Sequence, residues 1–344
     1  MFIAENEHRT SPTTILPNYH LILIGLTNYN KTLIDNHVET SSQKIVNRRV
    51  VGNNVWLGFP GSTQPTPSIS EYQYNVLESE EAVGTAMFDE LVAYAAEKSG
   101  DITMVLLGGR GSQAMFRVID RLAVAGEIDD LLGRLHVFTQ DALSPMRMSN
   151  GLSFVRDFER LLGEAFFAKI KSFTPMLTET DDVEGELTDY LERLRSLGGI
   201  DIFFLGFGPE DEGASHLCYI KPGSGASFGD YAGIIPISST ILEHHISKFK
   251  VGGSEISPDD EAECRKATHI LTLGPAAILG AKRIVQSIVD ASTAPAKRPS
   301  FRRLIETELS EDEAELAHQV DDNPGLLVRF HPDVRVYVLP NLLV

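Results

Sequence analysis

The chain has 344 residues, 42% of them hydrophobic and 23% charged, which indicates a globular protein with one large or two smaller α/β domains. A formal net charge of −18 opposes binding to phosphodiester backbones, so we expect no nucleic-acid partner. No apolar run reaches the ~18 residues of a membrane span, so we expect no membrane partner. The two cysteines, Cys218 and Cys264, make no disulfide framework, and the N-terminus lacks a signal-peptide pattern. These features predict a reduced, cytoplasmic protein.

Residues 1–72 are predicted to be an N-terminal extension with extra strands, ahead of one domain over residues 73–344. The apolar run at 19–26 predicts the first of these strands. Residues 49–61 predict one or two more, with a break at Gly52-Asn53-Asn54, where a turn is favoured.

From residue 73 onwards, strand patterns alternate with helix patterns. Strands are predicted at residues 74–77, 102–109, 135–141 and 202–205, and helices at 79–98, 112–125, 154–171 and 185–197. Residues 269–289 predict a strand that feeds a helix through Gly274-Pro275, and a last strand ends the chain. The alternation predicts the α/β class, with a doubly wound, mainly parallel sheet and helices on both faces. Such sheets bind ligands at the carboxyl ends of their strands.

A glycine-rich loop, Gly108-Gly109-Arg110-Gly111-Ser112, follows one of these strands and precedes a helix. Glycines let backbone amides approach an anion, and a helix N-terminus favours negative charge. The same glycines also suit a tight turn that binds nothing. Arg110 adds a guanidinium that can hold a phosphate through two hydrogen bonds.

The predicted strand at 135–141 ends in Gln140-Asp141-Ala142. A carboxylate at the end of a strand suits general base catalysis when its surroundings match its pKa to the working pH. The structural interpretation of the same residue is an aspartate that caps a helix or closes a turn.

The most informative stretch lies between residues 201 and 224. An apolar strand leads into Gly206-Phe207-Gly208-Pro209, then into the acids Glu210-Asp211-Glu212 and into His216, and it leaves through Lys221-Pro222-Gly223-Ser224. Acids and a histidine after a buried strand indicate acid–base chemistry at the sheet edge, although a single histidine is more often structural.

These motifs resemble those of the glucosamine-6-phosphate deaminase/isomerase family, in the superfamily of 6-phosphogluconolactonase. HLCYIKPGS at residues 216–224 is similar to the family's H-I-A-F-N-E-P-G-S, and the glycine-rich loop is similar to its T-G-G-T-P phosphate loop. FTQDAL at 138–143 resembles F-N-M-D-E-Y, and APAKR at 294–298 resembles a lysine turn, G-S-Q-K-A. The resemblance covers roughly residues 74–340.

The resemblance implies a role for each matching residue. Asp141 would be the general base that removes the C2 proton of an open-chain amino sugar. His216 would assist ring opening, with Asp211 or Glu210 as its acidic partner. The glycine-rich loop and Lys297 would bind the phosphate of the substrate.

Three departures weaken this assignment. Ala142 and Lys221 stand where the family has glutamates, and a lysine cannot accept a hydrogen bond from an imidazole. The family's phosphate-binding arginine falls near Gly233-Ile234, where this chain has no basic residue.

Two functions of different class follow from this pattern. One is an enzyme of the deaminase/isomerase type that acts on an amino-sugar or hexose phosphate. The other is a non-catalytic sugar-phosphate-binding or structural relative that has lost the catalytic relay. We expect no metal, because His244-His245 are adjacent and do not share a face, and no cofactor, because no G-x-G-x-x-G motif follows a strand. The expected partner is a small sugar phosphate, and the sequence leaves open whether the chain forms a homo-oligomer.

Overall fold

The computed structural model describes residues 46–60 and 69–344 of the chain, and the strand predicted at 19–26 lies outside these ranges. Two sheets form its framework. One has seven strands and the other has five, and a two-stranded ribbon accompanies them.

The larger sheet is parallel throughout. Its strands are β3 (Asn75–Val76), β4 (Ile102–Leu106), β5 (Leu135–Thr139), β7 (Ser172–Thr174), β8 (Ile202–Leu205), β13 (Arg283–Ile288) and β14 (Val334–Val338). They lie in the order β3-β14-β13-β8-β4-β5-β7, and every pair is parallel. The runs ITMVL in β4 and IFFL in β8 are buried along their whole length, as strands covered on both faces require. The predicted parallel α/β architecture is therefore confirmed.

The smaller sheet is antiparallel. Its strands are β1 (Asn47–Val51), β2 (Asn54–Gly58), β6 (Asp141–Ser144), β11 (Ala232–Pro236) and β12 (His269–Leu273), in the order β1-β2-β11-β12-β6. The predicted break at Gly52 is the turn between β1 and β2, and this glycine has a φ of +58°. The strands β9 (Gly208–Pro209) and β10 (Ser215–His216) form the ribbon.

Polar side chains begin most of the long helices. The longer helices are α1 (Glu80–Glu97), α2 (Arg110–Ala125), α4 (Phe154–Lys169), α5 (Val183–Ser196), α6 (Ser239–Val251), α9 (Lys297–Glu306) and α10 (Glu313–Asp322). Shorter ones are α3 (Asp129–Leu132), α7 (Pro258–Cys264) and α8 (Pro275–Gly280). Ser79, Ser153 and Ser238 accept hydrogen bonds from the first turns of α1, α4 and α6. In the part of the chain described, no helix has both the length and the apolarity to cross a bilayer.

One predicted element is wrong in its second half. The helix expected to run to residue 289 ends at Gly280, and Arg283–Ile288 is the buried strand β13 instead. A short apolar run such as this fits a helix or a strand equally well by periodicity. Pairing with β8 on one side and β14 on the other decides the outcome.

Part of the predicted N-terminal extension joins the smaller sheet. Strand β2 pairs with β11 from the second half of the chain, and Trp56 of β2 lies opposite Gly233 of β11. Trp56 is fully buried, and its indole nitrogen donates to the carbonyl of Ser224 over 3.1 Å. The predicted domain boundary at residue 72 stays a prediction.

The packing of Trp56 on Gly233 gives a stability test. A Cβ at position 233 would lie 2.6 Å from the indole ring, which is held by its hydrogen bond and cannot move away. Overpacking of this kind costs about 1–3 kcal/mol, so Gly233→Ala should lower the free energy of unfolding by that amount. Gly280→Ala is the control, because a Cβ there meets nothing within 4 Å. Equal urea midpoints for the two variants would contradict the proposed contact.

Candidate functional site

A cleft opens at the carboxyl-terminal edge of the parallel sheet. It lies at the point where the order in which strands are added to the sheet reverses. From β4 the chain proceeds outward to β5 and β7, and then returns to β8 on the other side of β4. Loops that follow β4, β5, β8 and β13 line the cleft, which has an empty volume of about 580 Å³. Open α/β sheets place their ligands at such a reversal point.

Most of the residues singled out in the sequence meet in this cleft. Its lining includes Gly108, Gly109, Arg110, Gly111, Asp141, His216 and Lys297. Two candidates lie elsewhere. Ser112 is fully buried and donates a hydrogen bond to the carbonyl of Leu107 over 2.7 Å, so it stabilises the loop from behind. Asp211 is exposed in a short 3₁₀ turn outside the lining.

The glycine-rich loop brings the start of α2 to the cleft. Gly109 precedes the helix with a φ of +80°, a conformation that other residues adopt only with strain. Gly108 packs on the ring of Phe154, where a Cβ would lie 2.2 Å from ring carbons. Because α2 has 16 residues, its N-terminus presents a substantial positive dipole end to an anion in the cleft.

Arg110 does not point freely into the cleft. Its guanidinium donates to Glu80 at the start of α1, with an Nη2–Oε1 distance of 2.7 Å. The hydrogen bond to Glu80 raises the pKa of Arg110 further above its ordinary value. The structural alternative, in which Arg110 pairs with an acid, is therefore the arrangement present here.

Two lysines supply positive charge inside the cleft. Lys297 of α9 is 5% exposed and pairs with Asp290, which follows β13. Lys248 of α6 also lines the cleft, and within the described ranges its ammonium group makes no direct hydrogen bond or ion pair. Burial and the neighbouring Lys297 lower the pKa of Lys248 to about 8.

The sequence analysis missed Lys248, although a signal was present. Ile241, His245 and Phe249 repeat every four residues and form the buried face of α6. Lys248 lies beside this apolar face rather than on the solvated one. A lysine at such a position indicates a charge directed inward, towards a site or a partner.

Asp141 lies at the junction of the two sheets. Strand β5 ends at Thr139 and β6 begins at Asp141, so a single residue separates the parallel sheet from the antiparallel one. The carboxyl group is 2% exposed, and its Oδ1 has no hydrogen-bond partner among the residues described. Burial raises the pKa of Asp141 to about 7, although Lys248 and Gln140 act in the opposite direction.

His216 pairs with Glu210 rather than with Asp211. The antiparallel ribbon sets His216 of β10 opposite Gly208 of β9, and Glu210 follows β9 directly. The Nδ1 atom lies 2.5 Å from Oε1 of Glu210. Burial lowers the pKa of His216, although Glu210 opposes this shift. Glu210 therefore takes the place that the sequence analysis had left open between Asp211 and Glu210.

Lys221 lies outside the lining of the cleft. Its Nζ donates to the carbonyl of Pro236 over 3.1 Å, at the end of β11. It therefore neither contacts His216 nor blocks the cleft with a charge. The carboxylate that pairs with the imidazole of His216 belongs to Glu210.

Cys218, Tyr219 and Phe249 also line the cleft and were not predicted from the sequence. Burial raises the pKa of the Cys218 thiol well above its ordinary value, so this cysteine is a packing residue and not a nucleophile. No group of three or more metal-binding side chains occurs in residues 46–60 or 69–344.

Comparisons with known proteins agree with the fold. No family model matches the sequence. A curated glucosamine-6-phosphate deaminase of Halothermothrix orenii is 26% identical over 157 residues, which are 46% of this chain and 52% of the relative. The match therefore spans about half the length of that curated relative.

Solved structures extend the likeness over most of the chain. A monomeric glucosamine-6-phosphate deaminase is 20% identical with a TM-score of 0.62, over 79% of this chain and 98% of its own. A 6-phosphogluconolactonase from Trypanosoma cruzi is 12% identical with a TM-score of 0.56, over 80% and 97% of the two chains. The predicted resemblance is confirmed: part of the chain is similar in sequence to a glucosamine-6-phosphate deaminase, and most of it is similar in fold to that solved deaminase and to a 6-phosphogluconolactonase.

The raised pKa of Asp141 predicts a pH-dependent cost in stability. The native state holds this proton more tightly than the unfolded chain, so ionisation destabilises the fold increasingly between about pH 4 and pH 7. Asp141→Asn should therefore raise the free energy of unfolding at pH 8 by roughly 1–4 kcal/mol, and by little at pH 4. Urea unfolding at both pH values measures this, with Asp89→Asn on the exposed face of α1 as the control. A variant no more stable than wild type at pH 8 would refute the assignment.

Proposed function

We propose that the chain is an enzyme of the deaminase/isomerase type that acts on an amino-sugar or hexose phosphate. One observation carries the proposal. A buried carboxyl group with a free oxygen, a paired imidazole and two lysines line a single cleft at the edge of the sheet. This combination offers a base, a proton carrier and a binding charge within reach of one small ligand.

Asp141 is assigned the role of general base. Aldose–ketose isomerisation needs a group that takes the proton from C2 and returns it to C1. A carboxyl group with a pKa of about 7 is ionised in a large fraction of molecules near neutral pH, and it is still basic enough to accept such a proton. Its unpartnered Oδ1 leaves one oxygen available for the substrate.

His216 is assigned to ring opening. Glu210 can only accept at its ionised oxygen, so the hydrogen of the neutral imidazole is placed on Nδ1. This leaves the lone pair on Nε2, which has no partner among the described side chains and can take a proton from a sugar hydroxyl. Burial keeps the imidazole neutral near pH 7, as this step requires.

The phosphate is assigned to Lys248, Lys297 and the N-terminus of α2. This differs from the expectation that Arg110 of the glycine-rich loop binds the phosphate, because Glu80 already neutralises that guanidinium. Lys248 has no such partner, so an anion would complete its coordination without first breaking an ion pair. Lys297 keeps Asp290 as a counter-ion and contributes less net charge.

Hydrolysis of a sugar-phosphate lactone is the second candidate. It is favoured by the structural likeness to 6-phosphogluconolactonases and by the His216–Glu210 pair, which can activate a water molecule. This reaction needs no proton abstraction from carbon, so Asp141 would not be essential. A third outcome, binding without turnover, corresponds to the non-catalytic relative.

Two substrates and two variants separate these functions. Ammonia release from glucosamine 6-phosphate and hydrolysis of 6-phosphogluconolactone are measured for wild type, Asp141→Asn and His216→Gln. Deamination should fall about 10²–10⁴-fold in Asp141→Asn, since a general base contributes that much. Lactone hydrolysis would instead depend on His216 and tolerate Asp141→Asn. Wild type that turns over neither substrate but binds glucosamine 6-phosphate in calorimetry would leave only the non-catalytic function.

The phosphate assignment has its own test. Lys248→Ala should weaken binding of glucosamine 6-phosphate roughly 10-fold or more, since a charge-assisted contact contributes about 1.5–3 kcal/mol. Arg110→Ala should change the affinity less than threefold, because Glu80 already holds its guanidinium. Calorimetry at fixed pH and salt compares the two. A larger loss in Arg110→Ala than in Lys248→Ala would reverse the assignment.

A further inference from the structure

A strained turn lies directly under His216. Residues Leu217 to Ile220 form a four-residue turn, closed by a hydrogen bond of 2.7 Å from the amide of Ile220 to the carbonyl of Leu217. Its two central residues, Cys218 and Tyr219, have φ values of +48° and +58°. Glycine or asparagine normally occupies such positions, so two other residues in succession need support from their surroundings.

Neighbouring elements support both central residues through hydrogen bonds. Thr272 of β12 donates a short hydrogen bond from its hydroxyl to the carbonyl of Cys218. The hydroxyl of Tyr219 lies 3.2 Å from Nδ1 of His245 on α6. A turn of unfavourable conformation is thus held from the smaller sheet on one side and from a helix on the other.

The donor and the acceptor of the hydrogen bond between Tyr219 and His245 can be assigned. The Nε2 atom of His245 lies 2.7 Å from the carbonyl oxygen of Leu152, which can only accept, so Nε2 carries the hydrogen. In the neutral ring, Nδ1 is then an acceptor and the hydroxyl of Tyr219 is the donor. Burial lowers the pKa of His245 to about 4, which keeps this ring neutral over the working pH range. The ring centroids of Phe154 and Phe249 lie 5.2 and 4.4 Å from the centroid of the His245 imidazole.

The held turn places the ring of Tyr219 against the imidazole of His216. The two rings are nearly parallel, with an angle of 20° and a centroid distance of 5.3 Å. Glu210 fixes one edge of the imidazole at Nδ1, and Gly208 packs beside the opposite edge, where a Cβ would lie 1.8 Å from Nε2. The phenol ring covers a face, so the imidazole is restrained in both tilt and rotation.

We propose that Tyr219 is a positioning residue for His216, and that His245 anchors it. The hydroxyl bond to His245 and the strained turn hold the phenol ring in place, and the phenol ring fixes the direction of Nε2 in the cleft. The inference rests on the proposed function only in what Nε2 does there. The restraint itself is a property of the fold and can be measured without any substrate.

The first measurement is therefore spectroscopic. Protein with ¹³C-labelled histidines is titrated by NMR, and the His216 signal is assigned by its loss in His216→Gln. Tyr219→Phe removes only the hydroxyl, and Tyr94→Phe is the matched control, since its hydroxyl bonds Asp201 before β8. The charged groups that act on His216 are Glu210, Lys248 and Lys297, and all stay unchanged in both variants.

Tyr219→Phe should shift the ring signal and the titration midpoint of His216, and Tyr94→Phe should shift neither. On whichever sugar phosphate proves to be turned over, kcat of Tyr219→Phe should fall roughly 10–100-fold with KM nearly unchanged, because a misplaced catalytic group loses rate rather than binding. His245→Asn keeps an acceptor near the position of Nδ1 and should retain more of the wild-type kcat than His245→Gln, which does not.

Two results would overturn the proposal. An unchanged His216 signal and midpoint in Tyr219→Phe would show that the hydroxyl does not position the imidazole. Equal losses of thermal stability in Tyr219→Phe and Tyr94→Phe, with equal kcat, would leave Tyr219 a structural residue only. If neither test substrate is turned over by wild type, the proposed function fails, and the NMR titration still decides this inference.

Discussion

The site depends on the single residue between β5 and β6. The chain leaves the parallel sheet at Thr139 and enters the antiparallel sheet at Asp141, with only Gln140 in between. Backbone pairing of β6 with β12 then holds Asp141 at the seam, opposite Thr272. In this position the carboxyl group of Asp141 is 2% exposed. Its raised pKa is therefore a consequence of topology.

The charges around the cleft show how an acidic protein can accommodate an anion. The chain carries a net charge of −18, so binding must rely on local arrangement and not on overall field. Asp290 and Glu80 partner two of the cations, Lys297 and Arg110, while Lys248 is left without a direct ion pair among the residues described. Because acids neutralise Arg110 and Lys297, the unneutralised positive charge of the cleft lies mainly at Lys248.

The departures from the family motif have a common compensation in three dimensions. The lysine at position 221 bonds a backbone carbonyl outside the cleft, and Glu210 supplies the carboxylate that His216 requires. Lys248, which a helix brings in from further along the chain, lines the cleft, and in the proposed function it takes the place of the cation absent near Gly233. Under that proposal an acid, an imidazole and a cation are all present in the cleft despite the substitutions.

By itself, the sequence determined the parallel α/β architecture, and most of the site residues predicted from it line the cleft. Long apolar runs between glycine-rich turns identify buried strands, and residues that follow such strands must meet at one edge of the sheet. Only the tertiary structure decided that Arg283–Ile288 is a strand, because strand pairing and not periodicity distinguishes the two outcomes. It also decided that Glu80 neutralises Arg110 and that Lys248 enters the site. Those contacts join residues far apart in the chain, and no local pattern encodes which distant side chain will be the partner.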